Sequence, residues 1–233
     1  MRTGLLTALL LTPMLAVATP KPYHAEYSVS RNGSTQATAT VNYGPAANGR
    51  WQLSSHTHGS QGMAALVGVD ISENSILRWN GEQPETIDYH FSQKAAWSSK
   101  QRSVKVDAAG GRITSVDKDQ TYSLAYQPGV LDQNAINVAL INDLAAGKRG
   151  DLVYNVVNKR AVSTQRYHVV GEVSLPTALG SQRAIKVERI RDNADGRSTT
   201  LWFGVDKDFI PLRMQQREPN GENIDMKISR IGA

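Results

Sequence analysis

The stretch Tyr23-His24-Ala25-Glu26-Tyr27-Ser28-Val29-Ser30-Arg31-Asn32-Gly33-Ser34-Thr35-Gln36-Ala37-Thr38-Ala39-Thr40-Val41-Asn42-Tyr43 decides the fold class. Tyr23, Ala25, Tyr27 and Val29 alternate with His24, Glu26 and Ser28. A period of two marks a strand with one buried face. Asn32-Gly33 interrupts the pattern, and this dipeptide tolerates the left-handed backbone that a two-residue hairpin turn demands. Alternation then resumes, with Ala37, Ala39, Val41 and Tyr43 on one side and Thr38, Thr40 and Asn42 on the other.

Outward from this hairpin the same rhythm recurs. Gly44-Pro45 and Asn48-Gly49 mark a loop, and residues 50–57 read as a third strand with Trp51, Leu53 and Ser55 on one face. The first three strands form a meander. Strand patterns follow at 71–79, 85–93, 103–107 and 112–116, and again at 151–157, 164–172, 182–191, 198–203, 211–217 and 223–231. Between the third and fourth strands, residues 63–69 make a compact apolar patch, either a short helix or a buried turn.

One segment breaks the rhythm. Over 132–146, Ala135, Val138, Ala139, Ile141 and Leu144 fall at helical spacings. Asp132 is placed to cap the start, Gly147 follows the end, and Lys148 and Arg149 suit the negative pole of the helix dipole. The predicted fold is mainly β: a strongly curved antiparallel sheet or barrel with one covering helix at about 132–146. No repeat or linker divides 19–233, which reads as a single domain.

The first residues have another logic. Arg2 precedes an apolar run of 13 residues, Leu5 to Val17, which ends in the small-residue pattern Ala16-Val17-Ala18. This predicts a secretory signal peptide over 1–18, cleaved after Ala18. The run contains Pro13 and falls short of the roughly 20 apolar residues that span a bilayer. The expected product is a periplasmic protein with no transmembrane anchor. The chain has no cysteine, which excludes disulfides and a lipid-modified cysteine anchor. Its net charge of +5 is scattered, with no long basic run interleaved with aromatics, so the footprint of a nucleic-acid binder is missing.

An ordered series of short motifs adds a family resemblance. Leu131-Asp132 opens the helix, followed by Val170-Gly171-Glu172 and Leu175-Pro176-Thr177-Ala178-Leu179-Gly180. Ala184-Ile185-Lys186-Val187, Thr200-Leu201-Trp202 before Asp206, and Ile210-Pro211-Leu212-Arg213 continue it. Tyr23, Tyr27, Ser72, Gly81, Pro84, Tyr89 and Phe91 agree more loosely. The series resembles the bacterial exported family known as domain of unknown function 3108, over nearly the whole chain after the leader. The resemblance implies an envelope protein without an assigned activity. It also implies a curved sheet similar in outline to the half-barrels of LolA- and LolB-like lipoprotein carriers, an analogy of fold and not of function. The chain departs from the family pattern in the helix, at Asn134, Asn137 and Asn142.

No residue pattern announces a reaction. His56 and His58 share one strand face at i and i+2, a spacing that lets two imidazoles approach one metal, with His90 or Asp70 as a third ligand. No HExxH or GxSxG motif accompanies them. The carboxylate pairs Glu188/Asp192 and Asp206/Asp208 are available for acid–base work, although Asp206-Lys207-Asp208 reads as a turn. No cofactor is expected. A curved sheet offers binding instead: Tyr23, Tyr27, Trp51, Leu53, Trp79, Tyr89, Phe91 and Trp202 either fill a solid core or line an apolar cavity. Three functions remain open. The first is a holder of a lipid or other apolar envelope ligand, or a protein of envelope maintenance. The second is an envelope scaffold with a solid core, and the third a metal-dependent hydrolase built on His56 and His58.

Overall fold

Alternation becomes strand throughout the structure, a computed structural model in which residues 19–191 and 196–232 are described. The signal-peptide reading over 1–18 and the candidate acid Asp192 lie outside the described residues. In chain order the first eight strands are β1 (Tyr23–Arg31), β2 (Ser34–Pro45), β3 (Trp51–Gly59), β4 (Asp70–Asn80), β5 (Gln83–Ala95), β6 (Ser98–Asp107), β7 (Arg112–Asp117) and β8 (Gln120–Ala125). A second run holds β9 (Gly150–Asn158), β10 (Ala161–Thr177), β11 (Gly180–Ile190), β12 (Ser198–Gly204), β13 (Pro211–Arg217) and β14 (Asn223–Gly232). A short helix, α1 (Gly62–Leu66), lies between β3 and β4, and a longer one, α2 (Ile136–Ala145), between β8 and β9.

All fourteen strands join one antiparallel sheet in the order β8-β7-β6-β5-β4-β3-β2-β1-β14-β13-β12-β11-β10-β9. Each run is a simple meander, and the two meet at the β1–β14 seam, where His24 lies opposite Gly232 and Arg31 opposite Ile224. The Asn32-Gly33 turn forms as read, with φ of 52° and 81°, and Arg31 pairs with Ser34 across it. Tyr23, Ala25, Tyr27, Ala37, Ala39, Tyr43 and Leu53 are all buried, so the predicted inward face of the first three strands is the core face.

The sheet curls without closing into a continuous ladder. Its two halves are tied instead by two residues ahead of α2. The Thr86 N–H of β5 donates to Val130 O (2.9 Å), the Leu131 N–H donates to Asn155 O (2.9 Å), and the Val157 N–H of β9 donates to Leu131 O (2.8 Å). Leu131 thereby forms a parallel bridge with Val156. Two apolar clusters occupy the interior. The larger joins β1–β4, α2 and β9–β14, and the smaller packs Tyr89, Val104 and Ile113 against Val130 and Val157.

The helix differs from expectation in two respects. It starts at Ile136, because residues 133–135 form a turn first, and Asp132 caps that turn by accepting the N–H groups of Asn134 (2.8 Å) and Ala135 (2.9 Å). It is also enclosed rather than laid over one face: eight of its ten residues are buried, including Asn142 and Asp143. A helix surrounded on nearly all sides carries apolar residues all round, which matches its run Val138-Ala139-Leu140-Ile141.

Strand β8 is absent from the sequence reading although Tyr122 and Leu124 alternate with Ser123 and Ala125; it is a short edge strand with no fully buried residue. The apolar segment after β3 does form a helix, α1, but none of its residues is buried. Gly59 lets α1 fold back on the end of β3: a Cβ there would sit 2.3 Å from Ala64 O. Pro176 lies within β10, opposite Ser181, so the hairpin loop is confined to Ala178 and Leu179.

Candidate functional site: an apolar cavity inside the curl

The inner face of the curl is not completely filled. Between β1–β4 on one side and β12–β14 on the other lies a cavity of about 290 Å³. Its walls follow from register. Tyr27 pairs with Ala39, Ala39 pairs with Thr57, and Leu53, further along β3, extends the same face. Met214 pairs directly with Met226, which pairs in turn with Val29 across the seam. Leu201 and Pro211 complete the apolar wall, and Asn134 in the turn before α2 and Asn137 in the first turn of α2 close one side.

The cavity deepens away from one end of the sheet. Tyr23, Tyr27, Ala39 and Leu53 are buried, whereas Val29, Thr57, Ile71 and Ile224 are half-buried. Those four stand beside the Asn32-Gly33 turn, the β3–β4 connection and the start of β14, so the opening faces that end. Few polar groups reach the lining: Ser55, Thr57, Glu73 and the two asparagines. Burial raises the pKa of the Glu73 carboxyl, against the hydrogen bond that it accepts from Tyr89 Oη (2.6 Å). Tyr27 Oη donates to Pro211 O (2.8 Å). The buried Tyr23 hydroxyl, part of the cavity wall, has no hydrogen-bond partner among the described residues.

A buried polar node holds the helical side of the cavity in place. Asp132 accepts Ser75 Oγ (2.9 Å) and Thr86 Oγ1 (2.8 Å) as well as the two backbone N–H groups. Asn134 donates from Nδ2 to Leu53 O (3.2 Å) and Ser75 Oγ (3.1 Å). Asn142 donates to Glu82 O (2.9 Å). Two of the three asparagines that depart from the family pattern therefore pin the helical segment to the sheet from inside, and Asn137 contributes to the cavity wall. Desolvation outweighs the four hydrogen bonds at Asp132 and pushes its pKa up to about 6.

Of the eight aromatic and aliphatic candidates, Tyr23, Tyr27 and Leu53 line this cavity. Trp51 stacks on Tyr43 with ring centroids 5.0 Å apart. Trp79 is half-buried against the main core, and Tyr89 belongs to the smaller cluster. Phe91 lies under the Arg102 guanidinium (5.1 Å), and Trp202 under that of Arg213 (4.9 Å), which is itself held by two hydrogen bonds to Asp225. His56 and His58 do converge on Asp70, at 2.8 Å and 3.7 Å, but both imidazoles are exposed and Asp70 is only half-buried. His90 instead pairs with Asp88 (2.7 Å). Among the described residues no group of three histidine or carboxylate side chains is arranged to hold a metal ion. Asp206 and Asp208 occupy the turn between β12 and β13.

The sequence reading favoured aromatics and so passed over Val29, Val41, Leu201, Met214, Ile224 and Met226. Val29 and Val41 belong to the inward face read for the first two strands, and the others continue that alternation in the last strands. Assigning them to the same cavity requires the β1–β14 pairing, which no local pattern encodes.

One solved structure supports the architecture. A β-barrel-like protein of domain of unknown function 1849 from Brucella abortus superposes with a TM-score of 0.59 at 11% identity, covering 92% of this chain and 98% of that one. MucB matches with a TM-score of 0.34 at 10% identity, covering 92% of this chain and 54% of MucB, and it has also been solved in complex with MucA(peri). No curated protein matches the chain in sequence. No helix among the described residues is long and apolar enough to cross a membrane. The family model for the protein of unknown function DUF3108 matches residues 23–229, the entire sheet but for its last rungs, and the chain belongs to that family.

Proposed function

We propose that this protein acts in the periplasm as a holder of one apolar group of an envelope ligand, an acyl chain or its equivalent. The reading rests on the cavity. Its volume of about 290 Å³ is roughly twice that of an apolar void that already accepts a benzene ring. The same volume is too small for a lipid with several chains, so one chain enters and the rest of the molecule stays at the mouth. The lining suits this division. Aliphatic and methionine side chains give a surface that adapts to a flexible chain, while Ser55, Thr57 and Glu73 offer hydrogen bonds beside it. The Tyr23 hydroxyl, buried and without a partner among the described residues, supplies a further donor for a polar group carried inward. Export by the 1–18 leader would bring the protein to its ligand.

The test is native mass spectrometry and lipid extraction of protein purified from the periplasm. An apolar molecule should accompany the unmodified chain and be lost from Ala39→Phe, which fills the cavity from β2. A chain that is always recovered empty, from cells and after incubation with fatty acids, removes the proposal.

A further inference from the structure

The end of the sheet that carries the cavity mouth also carries its most exposed apolar side chains. Thr57 and Ile71, paired rungs of the mouth, lie just before and just after the β3–β4 connection that contains α1. In that helix Met63 is 65% exposed and Leu66 is 80% exposed. Trp97, at the tip of the β5–β6 hairpin, is 89% exposed. The two tips are joined: the Ala96 N–H donates to Val67 O at 2.7 Å, which brings Leu66 and Trp97 to neighbouring positions. Large apolar side chains held this far out of a fold gain nothing from water and signal a surface that is covered in use.

The charges around them point to the partner. Lys94 and Lys100 flank Trp97 on the same hairpin, and the Lys118 N–H donates to Gln101 O (3.1 Å), which places the β7–β8 turn beside Lys100. All three lysines are exposed and none forms an ion pair among the described residues; Asp70, opposite Lys94, is engaged by His56 and His58, and Asp119 beside Lys118 offsets part of the positive charge. We infer that this end docks on an anionic lipid bilayer, with Met63, Leu66 and Trp97 inserted at the interface and the lysines set against the headgroups. Tryptophan and aliphatic side chains with lysines on one flank are a composition that partitions to such an interface. Each lysine near an anionic surface adds to the attraction. Only three large apolar side chains project, so insertion is shallow and reversible. Docking in this pose turns the cavity mouth toward the membrane, but membrane binding itself requires no ligand in the cavity.

Vesicle flotation and Trp97 fluorescence test the inference without reference to any cavity ligand. The purified chain should float with vesicles containing phosphatidylglycerol, far less with phosphatidylcholine alone, and less again as salt rises. Bromine-labelled acyl chains should quench its emission, and Trp97→Tyr should remove the quenched fraction. Leu66→Ser should lower the partition coefficient roughly tenfold, and so should Met63→Ser. Both residues are exposed, so neither variant threatens the fold. Failure to bind phosphatidylglycerol vesicles overturns the inference, as does binding that the three variants leave unchanged. Capture of an envelope protein that depends on Leu66 and Trp97, with no vesicle binding, overturns it too and assigns the patch to a protein partner. Loss of vesicle binding with a ligand still recovered from the cavity separates the failure of this inference from that of the cavity reading.

Discussion

Replacing Asp132 with asparagine should change how stability depends on pH, by an amount that follows from its surroundings. The carboxyl is wholly buried, and burial raises its pKa from 3.8 to about 6. A tenfold change in proton affinity is worth about 1.4 kcal/mol, so ionising Asp132 costs roughly 3 kcal/mol more in the fold than in the unfolded chain. Between about pH 4 and pH 6 the folded chain therefore holds more protons than the unfolded one, and stability falls as pH rises through that window. Above it the loss is complete. The substituted amide would not titrate. In the variant the side-chain oxygen still accepts the turn's N–H groups, but the new NH₂ faces Thr86 Oγ1, whose own proton loses its acceptor. That loss costs about 1–3 kcal/mol. Urea denaturation of both proteins near pH 4 and near pH 7 gives the comparison. Asp132→Asn should be clearly the less stable at the acid end and should recover about 3 kcal/mol relative to the parent at the neutral end. Glu73, whose pKa burial also raises, titrates in both proteins and cancels. Parallel pH curves would refute the reasoning, because they would mean that four hydrogen bonds fully compensate the carboxylate for its burial.

Two further substitutions probe how the sheet is tied. Glu85 is fully buried and accepts Arg78 Nε (2.6 Å), Tyr126 Oη (2.5 Å) and the Gly129 N–H (3.1 Å); Arg78 and Tyr126 still reach water, so Glu85→Ala should cost about 1–3 kcal/mol in a chemical denaturation curve. Tyr27→Phe removes the single hydrogen bond to Pro211 O while keeping the ring against the cavity; a loss of about 1 kcal/mol is expected, and a loss beyond about 3 kcal/mol would mean that the hydroxyl has a larger role than this bond.

Local pattern carried most of the architecture and little of the site. The Asn32-Gly33 turn, the alternation of Tyr23, Ala25 and Tyr27, and the helical spacing from Ala135 to Leu144 are short-range features, and short-range physics fixes them. Tyr23, Tyr27 and Leu53 were readable as inward residues for the same reason. The wall opposite them was not, because Met214 and Met226 face Tyr27 only after strands from the two ends of the chain have paired. Asn134 shows the same limit in another form. Near the start of a helical pattern it looks like a surface residue, yet its amide is aimed at Leu53 O from inside the fold. Polar residues buried through specific partners leave no trace in periodicity. Exposed Leu66 and Trp97 are the converse, apolar residues that a core-seeking reading assigns inward or ignores.

The strand order also dictates a timetable for folding. Every neighbouring pair of strands in the sheet is adjacent in the chain except β1 and β14, whose facing residues Glu26 and Arg230 are separated by 204 positions. When the chain emerges N-terminus first, β1 and β2 can form their hairpin within the first few dozen residues of the sheet. The outer edge of β1 then has nothing to pair with until almost all of the rest has emerged. For that interval a long strand bearing Tyr23 and Tyr27 presents open hydrogen-bonding groups to other half-finished chains. The seam that creates the cavity is thus the last part to be made, and a holdase chaperone that shields β1 should raise the yield of folded protein more than one that attends to any later strand.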